Sequence, residues 1–438
     1  MRVLPRVNEA INEEWISDKT RHHVDGLKTQ RLDRPFIRKG GKLSPATWPE
    51  AFAAITAKAK AIKPERIGAI AGDLCNVEEM FALKALMGKL GVVNIDCRQD
   101  GSALDPKFGR ASYLFNSTIA GIDQADAIMI VGSNPRLEAP VLNARIRKRW
   151  TRGDCLIGVV GGKADLTYPY NYLGAGPESL VEFADHPPAN KTKPMFILGD
   201  GAVARPDGVA VLSLAAKAAL SLGVVKDGWN GFNVLHSAAA RVGALDIGFT
   251  PGQGGLTAIA MAKAGALDLL FNLGADEIDV EPGAFVVYIG AHGDRGAHRA
   301  DVILPGAAYP EKTGVYVNTE GRPQFADRAT FPPGQAREDW AILRALSEPL
   351  GAKLPFDSLT QLRAAVNAAH PHLAKLDEIS PADATGFADL AKLGGAIDRA
   401  PFVSPIEDFY LTNPIARASK VMAECSALAR ARSLKAAE

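Results

Sequence analysis

Cysteine is scarce in this 438-residue chain: Cys75, Cys97, Cys155 and Cys425 are the whole complement, and no two stand in a C-x-x-C spacing. A metal cluster needs several thiolates converging on one point, usually announced by short spacing. The four therefore read as buried, inert thiols rather than as a cluster site. Long apolar runs are missing too. Stretches such as Ala127–Val131 and Leu267–Leu270 fall far short of the roughly 20 residues a spanning helix needs. The opening, MRVLPRVNEAINEEW, lacks the apolar core of a secretory signal. A net charge of +1 supplies no bulk field toward nucleic acid or an anionic membrane. The chain thus reads as soluble and intracellular, reaching a membrane only through partners. No Ser-His-Asp, Cys-His or paired-carboxylate set emerges by spacing, and no repeat of fixed period is present.

What is there has ordinary globular proportions, 47% apolar and 23% charged, at a length that allows two to three domains. Residues 1–50 are rich in charge, Pro and Gly and read as irregular, with one helix near Ile11–Lys19. From Ile67 the pattern turns α/β. IGAIAG (67–72) is a short apolar run ending in Gly, as buried parallel strands are. Asn76 with Glu79 three residues on predicts a capped helix to about Leu90. VVNID (92–96), AIMIVG (127–132) and CLIGVVGG (155–162) follow as strands, with a helix over Pro140–Trp150. HPPANKTKP (186–194) reads as a boundary. A second α/β run follows: MFILGDG (195–201), a helix over 206–222, another over 255–265, then strands LDLLFNLG, AFVVYIG and ADVILPGA, and a hairpin YVNTEGRPQF (316–325). Beyond Pro333 the chain reads as helical, ending in a helix over 413–437.

Three phrases stand in a telling order: RLDRPFIRKGGKLSPATWPEA (31–51), VGSNPRLEAP (131–140) and ADVILPGAAYPEKTGVYVNTEGRPQ (300–324). Together they resemble the large subunit of molybdopterin-dependent oxidoreductases. The tail phrases FPPGQAREDWAILRALSEPLG (331–351) and PIEDFYLTNPIARASKVMAEC (405–425) narrow the resemblance. They are similar to the non-molybdenum branch, the large iron-sulfur subunit of respiratory NADH:quinone oxidoreductase (complex I).

The resemblance implies a pterin pocket, here relict, around Asp96, Asp100, Gly132, Asn134, Glu311, Asn318, Gly321, Arg322 and Gln324. Gly132-Ser133-Asn134-Pro135 would meet a cofactor pyrophosphate at a strand–helix turn; on its residues alone it is a turn with a capping Asn. The 311–324 segment would lie beside the pterin; on its residues alone it is a tight turn at Glu320-Gly321 held by Arg322. Asp100 falls where some relatives place a metal-binding carboxylate. Gly161-Gly162 stand where cofactor-binding members carry Asp-Pro-Arg, which removes polar partners a buried cofactor needs. Val24 occupies the place of a [4Fe-4S] ligand, and valine cannot coordinate iron. His22 and His23, adjacent on a turn, point apart. The basic run Arg145–Arg152 reads as a solvated helix end or a docking surface, and His292 and His298 as part of a turn.

The expectation is therefore an α/β, molybdopterin oxidoreductase-like fold of two doubly wound parallel-sheet (Rossmann-like) lobes with a helical tail. Its divisions fall at 1–60 (remnant of the 4Fe-4S domain and linker), 61–185, 186–333 and 334–438. The resemblance implies a cofactor-free structural part of the complex I peripheral arm, with no catalytic residue and no metal of its own. One 2Fe-2S and two 4Fe-4S clusters would sit on an N-terminal domain of about 200 residues or more that precedes this region in the family, Met1 then being an internal start or fragment boundary. Implied partners are the other peripheral-arm subunits, including the flavin-bearing NADH-oxidising one, on the cytoplasmic face of a bacterial inner membrane or the matrix side in mitochondria. Ubiquinone is the implied acceptor. The alternative is an active, formate dehydrogenase-like molybdopterin enzyme with Asp100 on the metal.

Overall fold

In the computed structural model, residues 2–185 and 191–437 are described. The strands in chain order are Phe36–Lys39 (β1), Lys42–Pro45 (β2), Ile67–Ala71 (β3), Asn94–Asp96 (β4), Ala127–Val131 (β5), Leu156–Val160 (β6), Asn171–Gly174 (β7), Pro194–Leu198 (β8), Val225–Lys226 (β9), Trp229–Asn230 (β10), Phe232–Val234 (β11), Leu269–Leu273 (β12), Phe285–Gly290 (β13), Val302–Pro305 (β14), Gly314–Val317 (β15) and Pro323–Ala326 (β16). The apolar runs form the sheet centres, as expected of strands covered by helices on both faces. β3, β8 and β12 are buried along their whole length.

Two large sheets result. One has seven strands in the order β2-β1-β14-β13-β12-β3-β4, the other five in the order β11-β8-β5-β6-β7. The five-stranded sheet is wholly parallel, and the larger is parallel from β14 to β4. Both are wrapped by helices, among them Val77–Lys89 and Gly208–Ser221.

The division expected at 185/186 does not separate these sheets. β3 and β4 join β12–β14 across more than 170 intervening residues, and the five-stranded lobe is inserted between them. Strand-by-strand periodicity cannot report this, because consecutive parallel strands read alike whichever sheet they enter. Residues 186–190 of the expected boundary lie outside the described residues.

Residues 36–45 are not a linker. They form a hairpin whose first strand pairs antiparallel with β14, Phe36 opposite Ile303, so the seven-stranded sheet begins inside the segment expected to be irregular. The first helix runs over Asp18–His22 instead of 11–19, started by Ser17, whose hydroxyl accepts from Thr20 N. The 255–265 helix shrinks to Ala258–Met261. The terminal helix is two, Pro414–Arg417 and Lys420–Ala437. The capping box predicted at Asn76 and Glu79 is present in full.

Candidate functional site

In parallel sheets ligands bind at the carboxyl ends of strands, where the strand order reverses. In the five-stranded sheet that point lies between β5 and β8. Gly132 follows β5 with φ 58°, and a Cβ there would meet Ala202 N at 2.5 Å. The turn leads into a short helix, Pro135–Glu138, whose last residue folds back over it. The Glu138 carboxylate accepts from Asn134 N (2.9 Å), Ser133 Oγ (2.6 Å) and Ser404 Oγ (2.7 Å). Gly199, at the end of β8, has no room for a Cβ, which would lie 2.8 Å from Glu138 Oε2. Asn134 itself keeps its side-chain oxygen without a partner.

Beside this turn the two sheets face each other through a polar cluster. Asp100 is paired with the buried Arg241 at 3.0 Å. Burial would push the Asp100 carboxyl up, but the guanidinium reverses this and leaves it below its ordinary value. Asp73 and Asp200 lie near the same guanidinium. Burial raises them to about 6 and about 7 respectively. Asp200 accepts from Ser237 Oγ. His236 donates from Nε2 to Tyr113 O at 2.6 Å and is held down to about 4 by burial. Asp73 Oδ1, Gln99 Nε2 and Arg241 Nε are buried without partners, a pattern that internal water commonly fills. Sequence reasoning found Asp100 but missed Asp73, Glu138, Asp200 and Arg241. A readable signal existed for two: Gly72-Asp73 and Gly199-Asp200 each place an acid directly after the glycine that ends a strand.

A cleft of about 670 Å³ opens in front of Asp100. Its cations are already engaged: Arg98 with Asp96 (2.8 Å), Lys107 with Asp105 (3.4 Å) and Arg205 with Asp207 (2.7 Å). Asp96 also accepts from Ala258 N.

The 311–324 segment lies elsewhere and splits between tasks. Glu311 and Lys312, sequence neighbours, do not pair with each other. Glu311 receives a two-pronged bond from Arg31 (2.6 and 2.5 Å). Lys312 is buried between Glu79 (2.8 Å) and Asp339 (3.3 Å). The hairpin tip bridges to the five-stranded lobe: Glu320 accepts from Ile119 N, and Thr319 Oγ1 donates to Val234 O. Asn318 Oδ1 accepts from Glu320 N and Arg322 N, Arg322 pairs with Glu320 at 2.8 Å, and Gly321 supplies φ 80°. Gln324 stands on β16 opposite Tyr316. The structure therefore brings Asp96, Asp100, Gly132 and Asn134 to the lobe interface, places Asn318, Gly321 and Arg322 in the hairpin tip that bridges it, and leaves Glu311 on Arg31 and Gln324 within the hairpin, away from the other four.

Val24 is buried in the turn His23–Leu27, and His23 donates from Nδ1 to Lys19 O. Among the described residues no group of three or more His, Cys, Asp and Glu converges in a way that could hold a metal ion. Burial pushes the Cys97 thiol up to about 12, and the Cys75 thiol well above its ordinary value. His292 donates to Gly26 O at 2.8 Å and is likewise held down to about 4 by burial. The basic run is not simply a solvated helix end: Arg145 is buried against Asp123 at 3.0 Å and reaches Glu9 O.

The profile of the molybdopterin oxidoreductases matches residues 31–349, and the chain belongs to that family. Within it, residues 378–425 match the C-terminal profile of the NuoG-type subunit of NADH-ubiquinone oxidoreductase, and residues 1–25 the NDSU1/NuoG-like 4Fe-4S domain profile. The chain is 45% identical to the mitochondrial NADH-ubiquinone oxidoreductase 78 kDa subunit of Candida albicans, over 97% of this chain and 60% of that one. It is 44% identical to a NADH-quinone oxidoreductase subunit of Rickettsia bellii (97% and 62%) and 43% identical to the NADH dehydrogenase iron-sulfur protein 1 of Solanum tuberosum (98% and 58%). The chain thus spans about three fifths of the length of these relatives. Among solved structures it resembles acetylene hydratase of Pelobacter acetylenicus (TM-score 0.60, 13% identity, 85% of this chain and 68% of that one). It also resembles the formyltransferase/hydrolase complex of Methylorubrum extorquens (TM-score 0.52, 18% identity, 72% and 98%). Those two likenesses are of fold alone.

The residues present do not fit a pterin dinucleotide. A carboxylate of the chain itself, Glu138, lies against the turn where an anionic cofactor group would be held. Asp100 is committed to Arg241. Nor does Val24, an apolar side chain buried in its turn, fit an iron-sulfur ligand position.

Proposed function

We propose that this chain is the molybdopterin-like body of a subunit of NADH:quinone oxidoreductase, contributing to electron transfer from NADH to quinone as a scaffold without a redox centre of its own. The observation that carries this reading is 43–45% identity over 97–98% of the chain with three named subunits of that complex. The scaffold role is supported by the site chemistry: paired cations, buried thiols held protonated, and a carboxylate in the anion position. Its partners are the other subunits of the peripheral arm, including the flavin-bearing one, and its place is the cytoplasmic side of a bacterial inner membrane or the matrix side in mitochondria. Among the described residues no helix is long and apolar enough to cross a membrane. The test is native purification of the tagged chain from respiratory membranes. Co-elution with NADH:quinone reductase activity, with molybdenum, tungsten, iron and pterin bound to the isolated chain near zero, is the expected result. Stoichiometric molybdenum or tungsten with pterin would overturn the scaffold, and loss of the co-eluting activity would overturn the assignment to the complex.

A further inference from the structure

Glycines ring the carboxyl edge of the five-stranded sheet, and the crowding around them comes from the chain itself. A Cβ at Gly201 would lie 2.4 Å from Val403 O, and one at Gly176 3.1 Å from Ala400 O. Gly161, φ 147°, has Phe402 Cβ 3.8 Å from its own Cβ position. The approaching backbone is residues 398–408. Phe402 is 1% exposed, its N–H donates to Ala175 O at 2.9 Å, and its ring stacks under Arg205 at 5.3 Å. Arg205 also donates to Ala400 O and Asp398 O, both at 2.9 Å. Two residues on, Ser404 donates to Glu138, the same carboxylate that receives Asn134 N and Ser133 Oγ. Glycines at such an edge let a backbone or a pyrophosphate come close; here the backbone that comes close is the strap.

The strap also lies outside the part of the chain common to the molybdopterin family. That profile ends at 349, whereas 398–408 falls inside the 378–425 segment matched by the NuoG-type C-terminal profile. We propose that residues 398–408 are a built-in occupant of the dinucleotide crevice, with the Glu138 carboxylate in the anionic position and Ser404 as its latch. Closure by the strap keeps polyphosphate ligands out of this chain. The inference rests on the cofactor-free reading above and deepens it.

Hydrogen-exchange mass spectrometry on the full chain, with isothermal titration of inorganic pyrophosphate, tests this. In Ser404→Ala, and in Glu138→Ala with Ser404→Ala, the amides of 398–408 exchange at least about tenfold faster, as loss of a charge-assisted hydrogen bond implies. Peptides covering β3 and β12 keep their protection, and the wild type shows no saturable pyrophosphate binding. Should the double variant not fold, the single hydroxyl deletion carries the same readout. Unchanged strap exchange in a folded variant, or saturable pyrophosphate binding by the wild type, overturns the proposal. Either failure leaves co-elution with NADH:quinone reductase intact, so the two readings fail separately.

Discussion

At the scale of single residues, the largest commitments are buried charges. Lys312 is 7% exposed and faces Glu79 and Asp339. Burial alone would lower its pKa, and the two carboxylates more than reverse that. Lys312→Met removes the cation and strands both acids, which costs about 3–5 kcal/mol; equilibrium urea unfolding measures it, and Lys312→Met with Glu79→Gln and Asp339→Asn recovers most of the loss. Asp276 carries a pH signature. It accepts from Tyr288 Oη (2.8 Å) and Gly296 N (3.0 Å), yet burial raises it to about 7 from 3.8. A carboxyl raised in the folded state contributes stability that is complete below its unfolded pKa and lost as pH climbs through the folded one. Unfolding free energy measured from pH 4 to 7 therefore falls less steeply in Asp276→Asn, by about 1.4 kcal/mol per pH unit. The asparagine side-chain oxygen can still accept from Gly296 N or the Tyr288 hydroxyl. Local geometry of this kind was legible where partners are close in sequence, as in the Glu320–Arg322 turn. Lys312 was not, since Glu79 lies 233 residues away.

At the scale of elements, apolar runs bounded by glycine identified the buried strands, and the Asn76 capping box fixed one helix start. The β1–β2 hairpin was hidden by its charge, although FIRK-GG-KLSP, two four-residue runs about a Gly-Gly pair, is the hairpin signal itself. Gly40 and Gly41 supply the positive φ values, 56° and 80°. The hairpin covers the open edge of β14: Arg38 N donates to Asp301 O at 2.7 Å, and its guanidinium reaches Ala300 O and His298 O. Arg38→Pro deletes that N–H and those side-chain bonds at a cost on the order of 2 kcal/mol. It also bares a parallel-sheet edge, so light scattering should register self-association that the wild type lacks. Gly132→Ala tests the other critical turn. With φ 58° and Ala202 N at 2.5 Å, it should lose about 2–3 kcal/mol by thermal or chemical unfolding.

At the scale of the whole molecule, the first thirty residues and the last helices form one clamp. A Cβ on Gly26 would sit 2.0 Å from Ile415 O. Ser419 Oγ donates to Asp25 (2.5 Å), and Thr29 Oγ1 to Ala418 O (2.8 Å). Arg417 ties the clamp to the seven-stranded lobe through Glu277 and Asp294, both at 2.6 Å. Gly26→Ala should lower stability by roughly 2 kcal/mol, and hydrogen exchange should accelerate in 414–430 and 18–29 together while the five-stranded lobe keeps its protection. The strap makes the limit of sequence reading concrete. The absence of Asp-Pro-Arg at Gly161-Gly162 argues against a bound cofactor, but the latch of the segment that fills the space, Ser404, is 266 residues from the Glu138 carboxylate it holds.

The nesting of the lobes sets an order in time. A ribosome delivers every strand of the five-stranded sheet by Val234, while β3 and β4, made earlier, must wait for β12 to β14, completed only at Pro305. The inserted lobe can therefore close first, with the older half of the larger sheet held open around it. Until β12 is complete at Leu273, β3 has an unpaired apolar edge, the kind of edge on which another chain can pair.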